Sequence, residues 1–526
     1  MMCELLTAGQ MRSIEGRAIA AGETTGLALM ERAGEGMIDA ILTARPELAA
    51  GRCRAVVLCG PGNNGGDGFV IARLLEAQGW RVQAYFYGDA DQLPTDARAN
   101  FDRFGTARIQ AMGFPNISDA GLALLRSEFE SDAGLPDVVI DALFGTGLSR
   151  LAPELVPLAQ VWRLGGAAVL RVAVDVPSGL CTDSGHIWEV EGKAALLPAD
   201  LTVCFHRRKI GCYLGEGPEN CGQIVLADLG LAPTDPPASA ARLVEMPAPR
   251  SLSKSQGHKY DHGHVLTLSG GSGAGGAARL AARAALRIGA GAVTLGCPAE
   301  ALTENAAQLN AVMLTVIDDA QALTDSLKDQ RRNVICLGPG AGVERAATLL
   351  AVLLADYSKR GTVLDADALT ALAQDKALFS RLHSNCVLTP HGGEFRRLFP
   401  DLTAKMDKMP LKGPAYSKAD ATREAAQRAG CVVVFKGPDT VIGDPSGGLY
   451  LHTATGDRAV PWLATAGAGD VLAGFIAGLM ARRMPAIVAA KTATWLHVEC
   501  ARSFGAGLIA EDMPDELPKI FRQLGV

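Results

Sequence analysis

The chain has 526 residues, of which 48% are hydrophobic and 20% are charged, so it carries enough apolar material for more than one large core. Its net charge of -6 argues against a nucleic-acid partner, because binding by counterion release needs a concentrated basic face. The 12 cysteines form no C-x-x-C pair, which excludes a zinc ribbon and a thioredoxin-like redox site and favours reduced thiols in a cytoplasmic protein.

No segment has the character of a signal peptide or of a membrane span. The amino-terminal stretch MMCELLTAGQMRSIEGRAIA carries charges where a signal peptide needs an apolar core. The longest apolar run, 471–481, is about half of the ~20 residues that cross a bilayer. We therefore expect a soluble cytoplasmic protein without a membrane partner.

The first part of the chain alternates apolar runs with helical patterns. The runs are rich in Val, Leu and Ile and begin at residues 54, 81, 137, 168 and 200. Runs of this kind are buried on both faces and, when helices separate them, indicate a parallel sheet with right-handed crossovers. The predicted fold class is α/β, and 1–230 is the first predicted domain.

A change of composition follows this domain. The stretch LAPTDPPASAARLVEMPAPR, 231–250, is rich in Pro, Ala and Ser and has little periodicity, which predicts a linker. Apolar runs begin again at residues 264, 292, 333, 362, 386 and 431, and an apolar helix pattern starts at Asp470 after a glycine turn. We predict a second α/β domain over 251–526.

Three glycine-containing motifs follow apolar runs of the first domain. They are GPGNNGGDG at 60–68, DALFGTGLSR at 141–150 and VDVPSG at 174–179. In open α/β sheets the carboxyl ends of the strands gather at one edge, so we expect the three motifs to form one site. The first also satisfies the G-x-G-x-x-G pattern of dinucleotide-binding turns.

Oxygen ligands are the common feature of these motifs. Asn63, Asn64, Asp141 and Ser178 carry amide, carboxylate and hydroxyl oxygens with one full charge among the four. That set suits a monovalent cation or a hydroxylated ligand better than zinc. Asp175, directly after an apolar run, is either a general acid or base or an aspartate that caps a turn.

The three motifs, in this order and preceded by LMERAG at 29–34, resemble the amino-terminal YjeF-type domain of the NAD(P)H-hydrate epimerase family, which has a Rossmann-like fold. The resemblance covers 1–230. It implies that Asn64, Asp141 and Ser178 hold a potassium ion and that Asp175 is the catalytic carboxylate and touches the substrate. The other implied contacts with the hydrated dinucleotide are Asn63, Asn64, Gly65, Gly66, Asp67, Gly145, Thr146, Gly147, Leu148, Ser149 and Arg150.

The second domain has glycine loops of its own. GGSGAGG at 270–276 also satisfies G-x-G-x-x-G, so that pattern alone does not identify a nucleotide. In ATAGAGDVLAGF at 464–475 a glycine turn opens an apolar helix with Asp470 in its first turn. Amides of such a turn hold phosphoryl oxygens, and Asp470 is placed to accept a proton from an attacking hydroxyl. The alternative is a helix whose acidic first turn only complements the dipole.

Two further strand ends carry polar side chains. LTPHGGEF at 388–395 offers His391 and Glu394 as contacts to substrate and magnesium. FKGPDTVIG at 435–443 offers Lys436 and its turn as contacts to nucleotide phosphates. Ordinary solvated loop residues are the alternative in both cases.

In order, GGSGAGGAARLAA, LGPGAG, DADAL, TPHGGEF, KGPDTVI and AGAGDVLAG resemble the carboxy-terminal YjeF-type domain, the ADP-dependent NAD(P)H-hydrate dehydratase family with a ribokinase-like fold. The resemblance covers 250–526. It implies that the adenine nucleotide contacts Lys436, Gly437, Pro438, Asp439, Thr440 and Gly469. It also implies that the hydrated dinucleotide contacts Ala277, Gly340, His391 and Asp470.

Together the two resemblances imply a repair enzyme for hydrated NADH and NADPH. The first domain would interconvert the R and S hydrates beside K⁺. The second would phosphorylate the added hydroxyl of the S hydrate from ADP with Mg²⁺, and loss of phosphate would leave NAD(P)H and AMP. We expect these small molecules as partners of a homo-oligomer. Two other readings stay open here: a ribokinase-like small-molecule or vitamin kinase, and a first domain that binds a ligand or protein without catalysis.

Overall fold

The computed structural model describes residues 3–130, 134–148, 150–231, 239–356, 358–410 and 412–526, with the backbone alone at 457. The chain forms two compact units. Unit 1 comprises Met1–Ala240 and Lys408–Ser417, and unit 2 comprises Ala241–Asp407 and Lys418–Val526. The short segment Lys408–Ser417 therefore belongs to unit 1 although the chain on both sides of it belongs to unit 2.

Unit 1 is built on a parallel sheet. Its strands are β1 (Glu4–Leu6), β2 (Arg54–Cys59), β3 (Arg81–Phe86), β4 (Ile109–Ala111), β5 (Val138–Ala142), β6 (Leu170–Val174), β7 (Glu189–Val190), β8 (Lys193–Ala194), β9 (Leu201–Phe205), β10 (Arg208–Lys209) and β11 (Gln223–Ala227). Its helices are α1 (Ala8–Ala20), α2 (Gly26–Ala44), α3 (Asn63–Ala77), α4 (Thr95–Phe104), α5 (Asp119–Glu130), α6 (Leu155–Trp162) and α7 (Gly217–Asn220).

The main sheet of unit 1 has the order β11-β9-β6-β5-β2-β3-β4, and every neighbouring pair is parallel. Strands β5, β6 and β9 are buried at every residue, which explains their continuous apolar runs. One apolar cluster packs α2, α3 and α4 against the sheet, and another packs α5 and α6. The order of the strands reverses between β2 and β5, where a crevice opens at their carboxyl ends.

Unit 2 has a mixed sheet. Its strands are β12 (Ala241–Leu243), β13 (His264–Leu268), β14 (Ala292–Cys297), β15 (Met313–Val316), β16 (Arg332–Leu337), β17 (Gly361–Leu364), β18 (Cys386–Leu388), β19 (Val432–Phe435), β20 (Asp439–Gly443) and β21 (Leu449–Thr453). Their order is β12-β21-β20-β19-β18-β17-β16-β13-β14-β15, parallel except for the antiparallel pairs of β20 with β19 and with β21. The order reverses between β13 and β16.

The helices of unit 2 cover both faces of this sheet. They are α8 (Pro249–Leu252), α9 (Gly276–Arg287), α10 (Leu302–Gln308), α11 (Ala320–Ser326), α12 (Val343–Ala355), α13 (Ala366–Gln374), α14 (Lys376–Phe379), α15 (Gly392–Leu398), α16 (Pro400–Met406), α17 (Lys418–Ala429), α18 (Ala468–Ala481), α19 (Ala486–Phe504) and α20 (Asp512–Leu524). Helix α18 is buried at every residue from Val471 to Ala481, because it packs between α9 and α19 in the core.

The predicted α/β class is confirmed, and each apolar run predicted as a strand is one. The hairpin of β20 and β21 was not predicted, since short turns there let the chain double back without a helix. The described part of 231–250 contains β12, which pairs in parallel with β21, and helix α8. Among the described helices, none combines the length and apolar character needed to cross a bilayer.

Candidate active sites

In unit 1, loops that follow β2, β5 and β6 surround a cavity of about 800 Å³. It lies at the carboxyl ends of β2 and β5, where ligands bind in open α/β sheets. The three motifs that follow these strands therefore surround a single cavity, as the sequence predicts. The predicted residues that line the cavity are Asn63, Asn64, Asp67, Gly145, Thr146, Gly147, Leu148, Arg150 and Asp175.

Gly65 and Gly66 do not line this cavity but are buried at the start of α3. A Cβ atom on Gly65 would lie 2.0 Å from the carbonyl oxygen of Gly60, and one on Gly66 would lie 2.9 Å from Cα of Ala97. Their role in the structure is to let α3 begin close against neighbouring backbone. Ser149, also predicted as a contact, lies outside the described residues.

Asp141 and Ser178 are fully buried and bonded to each other. The Ser178 hydroxyl donates to Oδ1 of Asp141 at 2.6 Å, and the Ser178 amide donates to Oδ2 at 2.7 Å. Burial raises the pKa of Asp141 to about 6, while hydrogen bonds from Ser178 and from the Leu143 amide lower it. All these partners are neutral and leave the negative charge of Asp141 uncompensated. A bound cation would compensate it.

Asn64 approaches the same loop from α3. Its Oδ1 lies 2.8 Å from where a Cβ atom of Gly145 would be, and its buried Nδ2 has no hydrogen-bond partner among the described residues. The adjacent Phe144 amide donates to Oγ of Ser178 at 2.9 Å. The loop after β5 therefore connects Asn64 with Ser178 and Asp141, and an unpartnered buried amide favours a bound ligand there.

Asp175 follows β6 with a φ of 69°, which is uncommon for a residue other than glycine. Its Oδ1 accepts hydrogen bonds from the Phe205 amide, at 3.0 Å, and from Nζ of Lys209. The Lys209 side chain is 1% exposed. Burial lowers the pKa of Lys209, but the charge of Asp175 is the largest of the effects that oppose it, and the net shift is upward. The catalytic candidate is thus ion-paired with a buried ammonium.

Three more carboxyl groups line the cavity with Asp175, and those of Glu15 and Asp67 have shifted pKa values. Burial raises the pKa of each, and the charge of Asp175 raises it further, whereas Lys209 lowers it. The pKa of Asp67 lies well above its ordinary value. The cavity therefore contains carboxyl groups of raised pKa near one that is ion-paired, and such a combination suits proton transfer.

The sequence analysis missed several residues that line this cavity or contact its lining. Lys209, which bonds to Asp175 without lining the cavity, follows the apolar run of β9 by four positions, so the strand-end rule that singled out Asp175 could have found it. Arg12 and Glu15 lie three positions apart on α1 and share a face of that helix. Lys412 also lines the cavity but is remote in sequence, and no local pattern points to it.

In unit 2, the predicted residue Asp470 lies in the first turn of α18, after a turn in which Gly467 has a φ of 87°. A Cβ atom on Gly469 would lie 3.1 Å from Nζ of Lys436 and 3.7 Å from Oδ2 of Asp365. Nζ of Lys436 donates to Oδ1 of Asp365 at 2.8 Å and lies 3.9 Å from Oε2 of Glu394. The glycine turn, the lysine and two carboxylates therefore form one cluster.

The electrostatics of this cluster centre on Asp470. The pKa of Asp470 is raised to about 7. Burial is the largest cause, the charges of Asp365 and Glu394 add to it, and the charge of Lys436 opposes it. Burial lowers the pKa of Lys436, but the charges of Asp365 and Glu394 outweigh that effect. A carboxylate whose pKa is near neutral pH is suited to general-base catalysis. Asp365 had no assigned role, although it follows the apolar run of β17.

The predicted nucleotide contacts Lys436 to Thr440 form the tight turn between β19 and β20. Oγ1 of Thr440 donates to the carbonyl of Gly437 at 2.8 Å. Nζ of Lys418 donates to Oδ1 and to the carbonyl oxygen of Asp439, at 2.6 and 2.8 Å. The Pro438 carbonyl accepts from the backbone beyond the hairpin. Lys418 was not predicted, and its ammonium fixes the turn from the first residue of α17.

Ala277 and Gly340, both predicted contacts, meet where the strand order of unit 2 reverses. A Cβ atom on Gly340, whose φ is 63°, would lie 3.5 Å from Cβ of Ala277 and 2.4 Å from the carbonyl oxygen of Ala274. Gly340 follows β16, and Ala277 lies in the first turn of α9 after β13. The loop and the helix thus approach each other closely at the strand-order reversal, the place where ligands bind in open α/β sheets.

The predicted contact His391 is exposed, with 57% of its side chain accessible. Its Nδ1 accepts from the Gly393 amide at 3.0 Å, and Oε2 of Glu394 accepts from the His391 amide at 2.8 Å. This reciprocal capping box starts α15. Glu394 itself is 5% exposed and turns its carboxylate toward Lys436.

Two family models match the chain. The model described as YjeF-related protein N-terminus matches residues 26–211, and the one described as NAD(P)H-hydrate dehydratase matches 265–522. The solved structure of an ADP/ATP-dependent NAD(P)H-hydrate dehydratase from Bacillus subtilis, co-crystallised with ATP/Mg²⁺, is 26% identical, with a TM-score of 0.42 over 52% of this chain and 93% of that one.

Relatives with both parts match nearly the whole chain. The bifunctional NAD(P)H-hydrate repair enzyme of Moorella thermoacetica is 33% identical over 99% of this chain and 97% of its own length. That of Coxiella burnetii is 33% identical over 96% of both. The NAD(P)H-hydrate epimerase of Roseobacter litoralis is 44% identical over 44% of this chain and 100% of its own length. The predicted order of the two domain types is therefore confirmed.

Proposed function

The chain belongs to the family of bifunctional NAD(P)H-hydrate repair enzymes, and we propose that each unit carries one of its two reactions. Unit 1 interconverts the R and S hydrates of NADH and NADPH. Unit 2 consumes the S hydrate and ADP and releases NAD(P)H, AMP and phosphate. The supporting observation is that the sheet of each unit has one strand-order reversal, and that each unit pairs a carboxylate with a largely buried lysine beyond the carboxyl ends of its strands.

In unit 2 the hydroxyl group on the hydrated nicotinamide ring is a poor leaving group, so it is first phosphorylated. The hydroxyl added to the nicotinamide ring attacks the terminal phosphoryl group of ADP, and Asp470 accepts its proton. The amides of the turn at Gly467 and Gly469, together with Lys436, stabilise the charge that develops on the phosphoryl oxygens. The bond to phosphate then breaks and the adjacent ring carbon loses a proton to solvent, which restores the ring double bond.

The donor set of unit 2 fits magnesium that arrives with the nucleotide. Within the described ranges, no three His, Cys, Asp or Glu side chains are arranged to hold a metal ion. Mg²⁺ is often bound by one or two carboxylates and the substrate phosphates, and Glu394 is the buried carboxylate beside Lys436. When bound, the ion neutralises charge on the phosphates.

In unit 1 the donor set fits potassium. Asn64, Asp141 and Ser178 would hold the ion, because the Asp141 carboxylate is buried among neutral partners and Asn64 and Ser178 supply an amide and a hydroxyl oxygen. The positive charge of the ion would offset the negative charge of Asp141. Asp175 lines the cavity, and its Oδ1 is bonded to Lys209. We assign to Asp175 the transfer of a proton from the substrate and back to it while the hydroxyl-bearing carbon inverts.

The test is to mix the protein with racemic hydrated NADH, Mg²⁺, K⁺ and either ADP or ATP. We expect both epimers to disappear, NADH absorbance to return and AMP to form with ADP. Replacing K⁺ with Na⁺ should slow loss of the R epimer alone. Accumulation of a stable phosphorylated product would instead indicate a small-molecule kinase.

The quaternary structure belongs to the same proposal. We expect a homo-oligomer, as for the sequence prediction. Light scattering with size-exclusion chromatography, with and without hydrated NADPH, measures the mass directly. A single monomeric mass at every concentration would contradict it.

A further inference from the structure

The segment Lys408–Ser417 belongs to unit 1 but is inserted in the sequence between α16 and α17. Lys412 forms an antiparallel bridge with Arg150, the last residue of the loop after β5. Ala415 is 2% exposed and packs with Cys181 and Trp188. Two attachments three positions apart thus fix the segment beside the loop that carries half of the predicted dinucleotide contacts of unit 1.

Three basic side chains, those of Arg12, Arg150 and Lys412, line the cavity of unit 1. The Arg150 guanidinium is committed to Glu154, to which it donates two hydrogen bonds. Arg12 donates to the Thr146 carbonyl at 3.3 Å and lies close enough to Glu15 to lower the pKa of that carboxyl group. Arg12 and Arg150 therefore already interact with other groups of the protein.

The ammonium of Lys412 differs from both. In the part of the chain that the structure describes, no carboxylate lies within 4.0 Å of it. Its side chain is exposed, so the charge is solvated until a ligand enters the cavity. A lysine of this kind binds phosphate as a point charge.

We propose that Lys412 is a substrate-binding residue of unit 1, whose ammonium contacts a phosphate of the hydrated dinucleotide, an inference that rests on the proposed function of that unit. Both NADH and NADPH hydrates carry the pyrophosphate, whereas only NADPH hydrate carries the 2′-phosphate. Asp175 and Lys209 are bonded to each other and to Phe205 rather than to this segment. The contact therefore acts on affinity and not on the chemical step.

The kinetic test compares Lys412→Met with Lys408→Met, which removes the same charge from an exposed position of the same segment that does not line the cavity. Epimerisation is followed from the isolated R hydrate, without nucleotide so that unit 2 is idle. We expect Lys412→Met to raise KM about five- to tenfold, as for a partly solvated charge contact, and to leave kcat within about twofold. Lys408→Met should match the wild type.

The two hydrates distinguish the two phosphates. A rise in KM for NADPH hydrate alone assigns Lys412 to the 2′-phosphate, and an equal rise for both assigns it to the pyrophosphate. Either supports the proposal. Equal KM values in the two variants, or a fall in kcat at unchanged KM, would overturn it.

A second measurement does not depend on turnover. Modification of each lysine of the wild-type protein by an amine-reactive ester is quantified by peptide mass spectrometry, with and without saturating hydrated NADPH. We expect the ligand to slow modification of Lys412 at least threefold and to leave Lys408 unchanged. Absence of protection would overturn the contact even if the enzyme epimerises, and protection would support it even if epimerisation failed.

Discussion

The two units use a carboxylate and a buried lysine in different ways. In unit 1, Lys209 bonds directly to the catalytic candidate Asp175. In unit 2, Lys436 bonds at 2.8 Å to Asp365, a neighbour of the candidate Asp470. The second lysine is thus partly neutralised before it can act on Asp470.

This difference in pairing changes the proton affinity of the two sites. Asp470 stands near the negative charge of Asp365, and burial with that charge raises its pKa to about 7. In unit 1 the raised pKa values belong instead to Glu15 and Asp67, the carboxyl groups that Lys209 does not touch. Residues of the same type therefore give unit 2 a base whose pKa is near neutral pH, and give unit 1 an ion pair beside carboxyl groups of raised pKa.

The largest expected effect is that of Asp470→Asn. The amide does not accept the hydroxyl proton, so we expect kcat for ADP-dependent recovery of NADH to fall ~10³-fold or more. The rate of epimerisation without nucleotide should be unchanged, which makes unit 1 the internal control. Full recovery of NADH absorbance by this variant would remove Asp470 from the role of base.

Asp175→Asn tests the other half of the comparison. We expect epimerisation to fall ~10²-fold or more, so that the S hydrate is repaired while the R hydrate persists beyond its spontaneous inversion. Chromatography of the two epimers during the ADP-driven reaction measures this. Loss of both epimers at the wild-type rate would exclude Asp175 from catalysis.

The same substitution leaves Lys209 buried without its charged partner. Breaking a buried ion pair in this way costs about 3–5 kcal/mol, so the unfolding temperature of unit 1 should fall. The double variant Asp175→Asn with Lys209→Met should regain stability but not epimerase activity. Regain of both would mean that Asp175 acts only as a structural partner of the lysine.

Much of the fold was predictable because it depends on local pattern. The continuous apolar runs of β5, β6 and β9 arise from burial on both faces, and that burial is visible in the letters themselves. Strand ends then placed Asp141 and Asp175 in one region of unit 1. The short edge strands and the β20–β21 hairpin were missed, because their sequences lack the continuous apolar run that marks the central strands.

The partners of the candidate residues were less predictable. Asp365 and Lys436 are 71 positions apart and meet only through the order of the sheet. Lys412 reaches the cavity of unit 1 from a segment surrounded in sequence by unit 2. No window of sequence contains such pairs, so long-range pairing, which also sets the pKa values, had to come from the structure.

The repeated glycine pattern gives a stability test of the comparison. Gly65 and Gly276 are each the third glycine of G-x-G-x-x-G, but a Cβ atom on Gly65 would lie 2.0 Å from a carbonyl oxygen, whereas one on Gly276 would meet only Nη2 of Arg279 at 4.0 Å. We expect Gly65→Ala to destabilise unit 1 by about 1–3 kcal/mol and Gly276→Ala to be nearly neutral. Calorimetric unfolding of both variants measures the contrast, and equal shifts would show that the pattern has one structural role in both units.

The smallest expected effect is a shift in pH dependence caused by Asp365→Asn. Asp470 must be ionised to accept a proton, so kcat for dehydration should fall as pH decreases through about 7. Removing the charge of Asp365 removes a repulsion and releases Lys436 from its partner, and both changes lower the pKa of Asp470. We expect the acidic limb to move down by about one unit.

A control separates this electrostatic effect from a loss of structure. Asp325→Asn removes a charge from a side chain that is 51% exposed and is not among the groups that shift the pKa of Asp470, so its limb should stay in place. A structural defect in Asp365→Asn would lower kcat at every pH without moving the limb. If the acidic limb of Asp365→Asn stays in place or moves to higher pH, Asp365 does not raise the proton affinity of Asp470. The difference in lysine pairing between the two units would then have no effect on catalysis.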